Sequence, residues 1–140
     1  MKHSSYIKNT YDFVDKIAKL VIPDGCLLIT LDVESMYTNI DHAKGLNAVS
    51  EALQFRGPLY DGIMQLLELS LKHNDFLFNG QLYIQATGTS MGRDCAPHYA
   101  DIYMAKFEKE AFYKASLKPH TYYRYLDDIF IVIQKMKMDY

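Results

Sequence analysis

Hydrophobic positions along the chain follow a helical period in some stretches and a strand pattern in others. Apolar residues recur at helical spacing after Thr10 and after Asp41, and both polar residues are candidate N-caps. Pro58 suits the first turn of a further helix, and a longer helix is predicted over 96–115. The helical pattern therefore accounts for much of the chain but leaves several β-prone runs.

These β-prone runs predict strands near 26–33, 121–126 and 129–134. The first run is apolar without alternation, which is typical of a strand covered on both faces. Asn79-Gly80 lies between two further β-prone runs and predicts a type I′ hairpin over 75–86. Helices and strands are thus both expected.

Composition narrows the classes of function. A chain of 140 residues, 49% of them hydrophobic, can form one globular domain. Its net charge of -2 provides no basic field for nucleic acid, although basic segments elsewhere could supply one. Cys26 and Cys95 lack the spacing of a zinc or disulfide framework, which fits an intracellular, reducing compartment. Neither a signal peptide nor a membrane-spanning run is evident, so no membrane partner is expected.

Adjacent carboxylates at Asp127 and Asp128 lie between the last two strand-like runs, at or near the tip of a predicted hairpin. Such a pair is either a polar turn or a place where a divalent metal ion offsets the repulsion between the two charges. A third carboxylate, Asp32, ends the first strand, and the irregular segment 33–40 follows it. Loops in that position often carry function.

Small residues cluster over 85–97, immediately before the long helix. Glycines in such a place let the backbone approach a flat or anionic ligand closely. The segment lacks the Lys-Ser/Thr of a phosphate-binding P-loop, so nucleotide hydrolysis is a poor interpretation.

The order of these features resembles the palm of reverse transcriptases, and most closely the Penelope-like retroelement branch, which is related to telomerase. A strand ending in an aspartate, a glycine-rich loop before a helix, and a Tyr-x-Asp-Asp hairpin match motifs A, B and C of that palm. The matching segments are Leu31–Ile40, the hairpin at Asn79-Gly80, Gly88–Gly92 with Ala96-Pro97, and Tyr125–Asp128. The resemblance implies an α+β fold over 1–140, forming a single partial palm domain. An antiparallel sheet would pack on helices, with the 75–86 hairpin separate.

The resemblance also implies a catalytic role for the three aspartates. Nucleotidyl transfer would use two Mg²⁺ ions about 3.5–4 Å apart, for which Mn²⁺ can substitute. Asp32 and Asp127 would bridge the ions, the carbonyl of Val33 would add a ligand, and Asp128 would tune the local charge.

Other residues match positions that contact nucleotide or primer. Tyr37 would be the steric gate that excludes a 2′ hydroxyl, although a core tyrosine is equally consistent with the pattern. Tyr125 would lie near the primer end, with a packed hairpin tyrosine as the alternative. The remaining nucleotide or template residues would be Gln85, Gly88, Met91, Gly92 and Arg93.

The expected partners are an RNA template, a DNA primer and deoxynucleoside triphosphates. The family's fingers would precede Tyr11, and its primer grip and thumb would follow Ile133, so we expect a palm-centred fragment or a decayed copy of a retroelement. Two alternatives stay open: a non-enzymatic remnant, and an RNA-dependent RNA polymerase palm. The sequence decides neither a nuclear location nor the oligomeric state.

Overall fold

The computed structural model describes residues 5–54 and 56–135. It has mixed α and β structure, with an antiparallel sheet packed on helices and a separate two-stranded sheet, as predicted. The helices are α1 (Thr10–Ala18), α2 (Met36–Asn39), α3 (His42–Ala52), α4 (Pro58–Lys72) and α5 (Ala96–Lys114). The strands are β1 (Cys26–Asp32), β2 (Asp75–Phe78), β3 (Gln81–Ile84), β4 (Thr121–Tyr125) and β5 (Asp128–Gln134).

The described residues form two compact units. One unit contains the chain up to Glu34 and from Ala111 onward, and the other is Ser35–Glu110. The expectation of one palm domain over the whole chain remains a prediction. No described helix combines the length and the apolar character needed to cross a membrane.

The three-stranded sheet of the first unit has the order β1-β5-β4, and both pairings are antiparallel. β1 therefore has a single neighbour and forms an edge of this sheet. Leu28 and Leu31 of β1 are 61% and 50% exposed, so the prediction of a strand covered on both faces is wrong for the described residues. The unbroken apolar pattern did not distinguish a central strand from an edge strand.

Aromatic side chains join the sheet to helical segments of the same unit. Phe13 of α1 meets Phe130 and Tyr123 edge-on, with ring centroids 5.5 and 6.5 Å apart. Phe112, near the end of α5, meets Tyr122 edge-on at 4.9 Å. Because successive strand residues point to opposite faces, these contacts cover both faces of β4. The N-cap of α1 is Asn9 rather than Thr10, since the Asn9 side chain accepts from the backbone N–H of Asp12.

The second unit packs α3, α4 and the greater part of α5 around small and apolar residues. Asp41 caps α3 by accepting from the backbone N–H of Lys44 at 2.9 Å, as predicted. Pro58 begins α4, also as predicted. The side chain of Tyr99 in α5 lies so close to Gly45 of α3 that a Cβ at position 45 would collide with its ring. This close approach fixes how the two helices cross.

The β2–β3 hairpin forms the separate sheet, and its turn confirms the prediction from Asn79-Gly80. Both turn residues have positive φ, 49° at Asn79 and 77° at Gly80, which is the signature of a type I′ turn. Every residue of the two strands is exposed. Phe76 and Tyr83 stack on each other across the ribbon, with ring centroids 5.6 Å apart.

Candidate active site

The structure brings the three predicted carboxylates to one end of the three-stranded sheet. Asp32 is the last residue of β1 and Asp128 the first of β5, and the two are directly opposite in the strand register. Asp127 precedes Asp128 in the turn between β4 and β5. Its backbone carbonyl accepts from the N–H of Val33 at 3.0 Å, which ties the end of β1 to the turn. Residues nearly a hundred positions apart in the chain therefore meet here.

The facing carboxylates are electrostatically unfavourable unless something offsets their charge. Like charges directly opposite on neighbouring strands lower the stability of a sheet. Asp32 and Asp128 are both exposed, and Asp127 is half-buried, so water reaches all three. The site is therefore accessible to a cation and would gain from binding one.

The turn that carries Asp127 is strained. Tyr125 pairs with Asp128, which leaves Leu126 and Asp127 as a two-residue loop. Leu126 has φ of 53°, a left-handed conformation that costs a branched side chain roughly 1–2 kcal/mol. Such conformations persist where the surroundings enforce them, and they concentrate at functional sites.

Arg124 is the residue that enforces this turn, and sequence reasoning missed it. Its guanidinium donates to the carbonyl of Leu126 at 2.9 Å, although the residue is only 3% exposed. Its backbone N–H donates to Ser5, and its carbonyl accepts from Ile7. The sequence does contain a feature that could have identified Arg124. It is a lone arginine in an otherwise aromatic strand, three residues before an acidic pair.

The carboxylate oxygens are donors suited to a hard divalent cation, with positions left for ligands from outside the chain. Among the described residues, no three His, Cys, Asp or Glu side chains form a group able to hold a metal ion. Mg²⁺ in nucleotide-handling enzymes is commonly held by one or two carboxylates, with waters and phosphate oxygens in the other positions. Asp32, Asp127 and Asp128 supply hard oxygen atoms of that kind.

A cavity of about 360 Å³ adjoins Asp128 within the first unit. Asp128 and Tyr125 are among its walls, together with the aromatic rings of Phe13, Tyr123 and Phe130. The cavity therefore combines one acidic group with flat apolar surfaces, which suits an organic ring bound beside Asp128.

The residues predicted to contact nucleotide lie in the second unit, where two segments are joined by backbone hydrogen bonds. Tyr37 belongs to the short helix α2 and is half-buried. Its carbonyl accepts from the N–H of Thr89 at 2.7 Å, and the N–H of Gly88 donates to Ile40 at 2.8 Å. Tyr37 and the predicted glycine-rich loop are thus brought together.

Gln85 and Arg93 are engaged in intramolecular contacts. The Gln85 side chain accepts from Asn74 at 2.7 Å and donates to the carbonyl of Thr87 at 2.8 Å. Arg93 donates to the Ser70 hydroxyl and to the carbonyl of His73 at the end of α4. Both residues therefore brace the loop, and their contacts with nucleotide remain predictions.

Met91 and Gly92 differ from these braced residues. Met91 is 76% exposed, and a Cβ placed on Gly92 would meet nothing within 4 Å. This tip of the loop is open to solvent. A role for it in contacting a base or template also remains a prediction.

The family assignment follows from comparison with known proteins. The profile of the family described as reverse transcriptase (RNA-dependent DNA polymerase) matches residues 3–138. Among curated proteins none matches this chain.

A solved structure also resembles this chain. It is the apo telomerase from Candida tropicalis, truncated from its C-terminal domain, with a TM-score of 0.70 at 14% sequence identity. The match covers 94% of this chain and 30% of the telomerase chain, so the likeness concerns the fold and spans under a third of that protein. The profile covers nearly the whole sequence, and the chain therefore belongs to the reverse transcriptase family.

Proposed function

We propose that this chain is the palm core of a retroelement RNA-directed DNA polymerase that extends a DNA primer on an RNA template. The observation that carries the proposal is the facing pair Asp32 and Asp128, with Asp127 in the adjoining turn. A family profile for this activity and a palm-like fold around the carboxylates support it further. The Penelope-like branch remains the proposed source, on the sequence motifs alone.

In the reaction, the 3′ hydroxyl of the primer loses its proton to solvent and its oxygen forms a bond to the α-phosphorus of a deoxynucleoside triphosphate. The bond from that phosphorus to the departing pyrophosphate breaks. Asp32 and Asp127 would hold the two Mg²⁺ ions, with Asp128 and the carbonyl of Val33 completing the protein's share. When bound, Mg²⁺ lowers the pKa of the attacking hydroxyl and neutralises charge on the phosphates. The chain's own task is to keep the carboxylates together, and the pairing of β1 with β5 does this.

The turn between β4 and β5, together with Arg124 and Tyr125, would position the primer. Arg124 holds the backbone of Leu126, which fixes the direction of Asp127. Tyr125 is 44% exposed and lines the cavity beside Asp128, so it is available to contact the terminal nucleotide of the primer. A displacement of 1 Å at a reacting centre can slow a reaction about a hundredfold, so this support matters for rate.

Tyr37 would select the sugar. An aromatic ring beneath the sugar leaves no room for a 2′ hydroxyl, and this favours a DNA-synthesising enzyme over an RNA-dependent RNA polymerase. The test is Tyr37→Gly, which should newly accept ribonucleotides. If that variant still excluded ribonucleotides, Tyr37 would not be the steric gate.

The decisive test is primer extension on an RNA template with deoxynucleotides and Mg²⁺. It should be run on this chain and on the chain with its native flanking sequence. Asp127→Ala should abolish extension, whereas Asp75→Ala, a strand aspartate of the β2–β3 hairpin, should leave it intact. Extension that survives the loss of Asp127 would refute the enzyme assignment.

The alternative is a non-enzymatic remnant whose carboxylates no longer bind metal. It predicts that Mg²⁺ or Mn²⁺ has no effect on thermal stability. A functional site should raise Tm with increasing metal concentration, since an ion that binds only the folded state stabilises it by mass action. That increase should disappear in Asp32→Asn.

A further inference from the structure

The short helix α2 depends on a loop from elsewhere in the second unit for its backbone hydrogen bonds. It has four residues, and the carbonyl of its N-cap Ser35 accepts from the N–H groups of Thr38 and Asn39. The last carbonyls of any helix lack internal partners. Here the carbonyls of Tyr37 and Ile40 accept from the N–H groups of Thr89 and Gly88.

The side chain of Thr87 completes this arrangement by donating to the carbonyl of Thr38 at 3.1 Å. The loop over 87–89 therefore donates hydrogen bonds to three backbone carbonyls, those of Tyr37, Thr38 and Ile40. Thr89 is almost fully buried at 2% exposure. Met36 and Ile40, at 4% and 2% exposure, anchor α2 on either side of Tyr37. We refer to the Thr87–Thr89 loop together with His42 as the α2 clamp.

Gly88 is required at the centre of the clamp for two reasons. Its φ of 75° is strained for any residue with a side chain. A Cβ there would also lie 2.5 Å from the Cα of Thr38 and closer still to the carbonyl oxygen of Tyr37. Main-chain atoms cannot move aside as a flexible side chain can, so a side chain at position 88 would displace Tyr37.

His42 holds the same glycine from its other side. The Nε2 of His42 is 2.7 Å from the carbonyl oxygen of Gly88. A carbonyl oxygen only accepts, so Nε2 carries the proton and donates it. Both backbone polar groups of Gly88 are thus bound by the segment that contains α2 and the start of α3.

We propose that His42 is a positioning residue for sugar selection: through Gly88 it holds Tyr37 where a ribose 2′ hydroxyl is excluded. The proposal rests on the proposed function. It adds the residues that hold Tyr37 in position beneath the sugar, His42 and Gly88. His42 touches neither nucleotide nor metal in this role. It acts through the backbone of the loop.

The test compares nucleotide binding in His42→Leu, His42→Gln and the unmodified chain. Dissociation constants for dATP and ATP with Mg²⁺ are measured by titration calorimetry, and the preference for dATP is their ratio. His42→Leu should reduce this preference by roughly five- to tenfold, the value of one neutral hydrogen bond. His42→Gln retains an N–H donor and should restore most of it.

His73→Leu is the matched control. The His73 side chain also contacts a single backbone carbonyl in the same unit, that of Leu69 at 3.0 Å in the preceding turn of the chain. The His73 carbonyl that accepts from Arg93 belongs to the backbone and is kept in the variant. Loss of the side-chain contact should leave the preference for dATP unchanged. Gly88→Ala should reduce the preference more strongly than His42→Leu, and His42→Leu decides the question if Gly88→Ala does not fold.

Amide hydrogen exchange gives a readout independent of nucleotide. The Gly88 and Thr89 amides should be protected in the unmodified chain and should exchange faster in His42→Leu. A chain that prefers dATP equally with and without His42 overturns this inference and leaves the proposed function standing. A chain that does not distinguish dATP from ATP refutes the gate itself, and the role of His42 with it.

Discussion

Asp32 and Asp128 lie opposite each other on adjacent strands, although like charges in that position lower the stability of a sheet. The neighbouring turn adds strain at Leu126. At the residue scale, both unfavourable features occur at the same end of the sheet. Proteins keep such features where binding or chemistry requires them.

Asp128→Asn should therefore stabilise the metal-free protein. Removing one of two facing charges should raise the free energy of unfolding by about 0.2–1 kcal/mol at low salt. Urea denaturation without divalent ions measures this difference. Asp75→Asn is the control, because Asp75 faces Ile84 rather than another charge. A lower stability for Asp128→Asn would contradict the assigned repulsion.

Tyr99 has a buried hydroxyl with no hydrogen-bond partner among the described residues. Burial, with a contribution from the negative charge of Asp41, raises the pKa of Tyr99 to about 12 from an ordinary value of about 10. The folded protein therefore keeps the proton at pH values where the unfolded chain releases it. The part of the unfolding free energy that depends on protonated Tyr99 is complete below pH 10 and is lost as the pH rises toward 12.

Tyr99→Phe should remove this part of the pH dependence. At neutral pH the variant should be as stable as the parent or more stable by about 1 kcal/mol, because an unpaired buried hydroxyl is lost. The measurement is the difference in unfolding free energy between pH 9 and pH 11. Tyr113→Phe, at a position 90% exposed, should leave the profile unchanged. If Tyr99→Phe and the parent showed the same change in unfolding free energy between pH 9 and pH 11, a group other than Tyr99 would be responsible.

At the scale of elements, the two sheets differ in how they are supported. The three-stranded sheet is joined to α1 and to the end of α5 by aromatic contacts. Every residue of the β2–β3 hairpin is exposed, so its ladder is maintained mainly by its own turn and by the stacking of Phe76 on Tyr83. Elements with few buried contacts open locally at low cost.

Asn79→Ala should accordingly loosen the hairpin without unfolding the protein. Alanine tolerates the positive φ of position 79 less well by about 1 kcal/mol, so exchange of the β2 and β3 amides should accelerate several-fold. Native-state hydrogen exchange measures this effect. Asn47→Ala, in α3, should not affect the hairpin amides. Uniform acceleration across α5 would indicate that the hairpin and the helix unfold together.

At the scale of the whole molecule, charge limits how the chain holds nucleic acid. Its 15 basic and 17 acidic residues give a net charge of -2. Phosphate neutralisation by basic residues provides most non-specific affinity for nucleic acid. The proposed polymerase core therefore has the carboxylates needed for nucleotidyl transfer but no excess of positive charge with which to bind a template.

The chain should bind a primed RNA template weakly and with little dependence on salt. We expect a dissociation constant no tighter than about 10⁻⁶ M at physiological salt, the range of non-specific binding. Fluorescence anisotropy at several salt concentrations gives the affinity and the slope. A steep decrease of affinity with salt would show that the chain presents a concentrated basic surface despite its net charge.

Local chemistry made several features predictable from sequence. Asn79-Gly80 specified a type I′ turn because both residues tolerate positive φ, and Asp41 specified a helix start because its side chain accepts a free backbone N–H. The order of the carboxylate, hairpin, glycine-loop and Asp-Asp motifs led to the family, since four motifs in sequence are specific where each alone is not. Both kinds of inference use only residues close together in the chain or their order along it.

The remaining features depend on which segments meet in space. Only the tertiary structure placed Asp32 opposite Asp128, made β1 an edge strand, and buried Arg124 beneath the strained turn. The α2 clamp is of the same kind, because its hydrogen bonds join groups about fifty residues apart. The acceptor in each is a backbone carbonyl, and backbone groups carry no sequence signature. The sequence determined the candidate chemistry and most of the elements, but not the short helix α2 within the segment 33–40. Long-range pairing decided which groups can act together, since it depends on the packing of the chain as a whole.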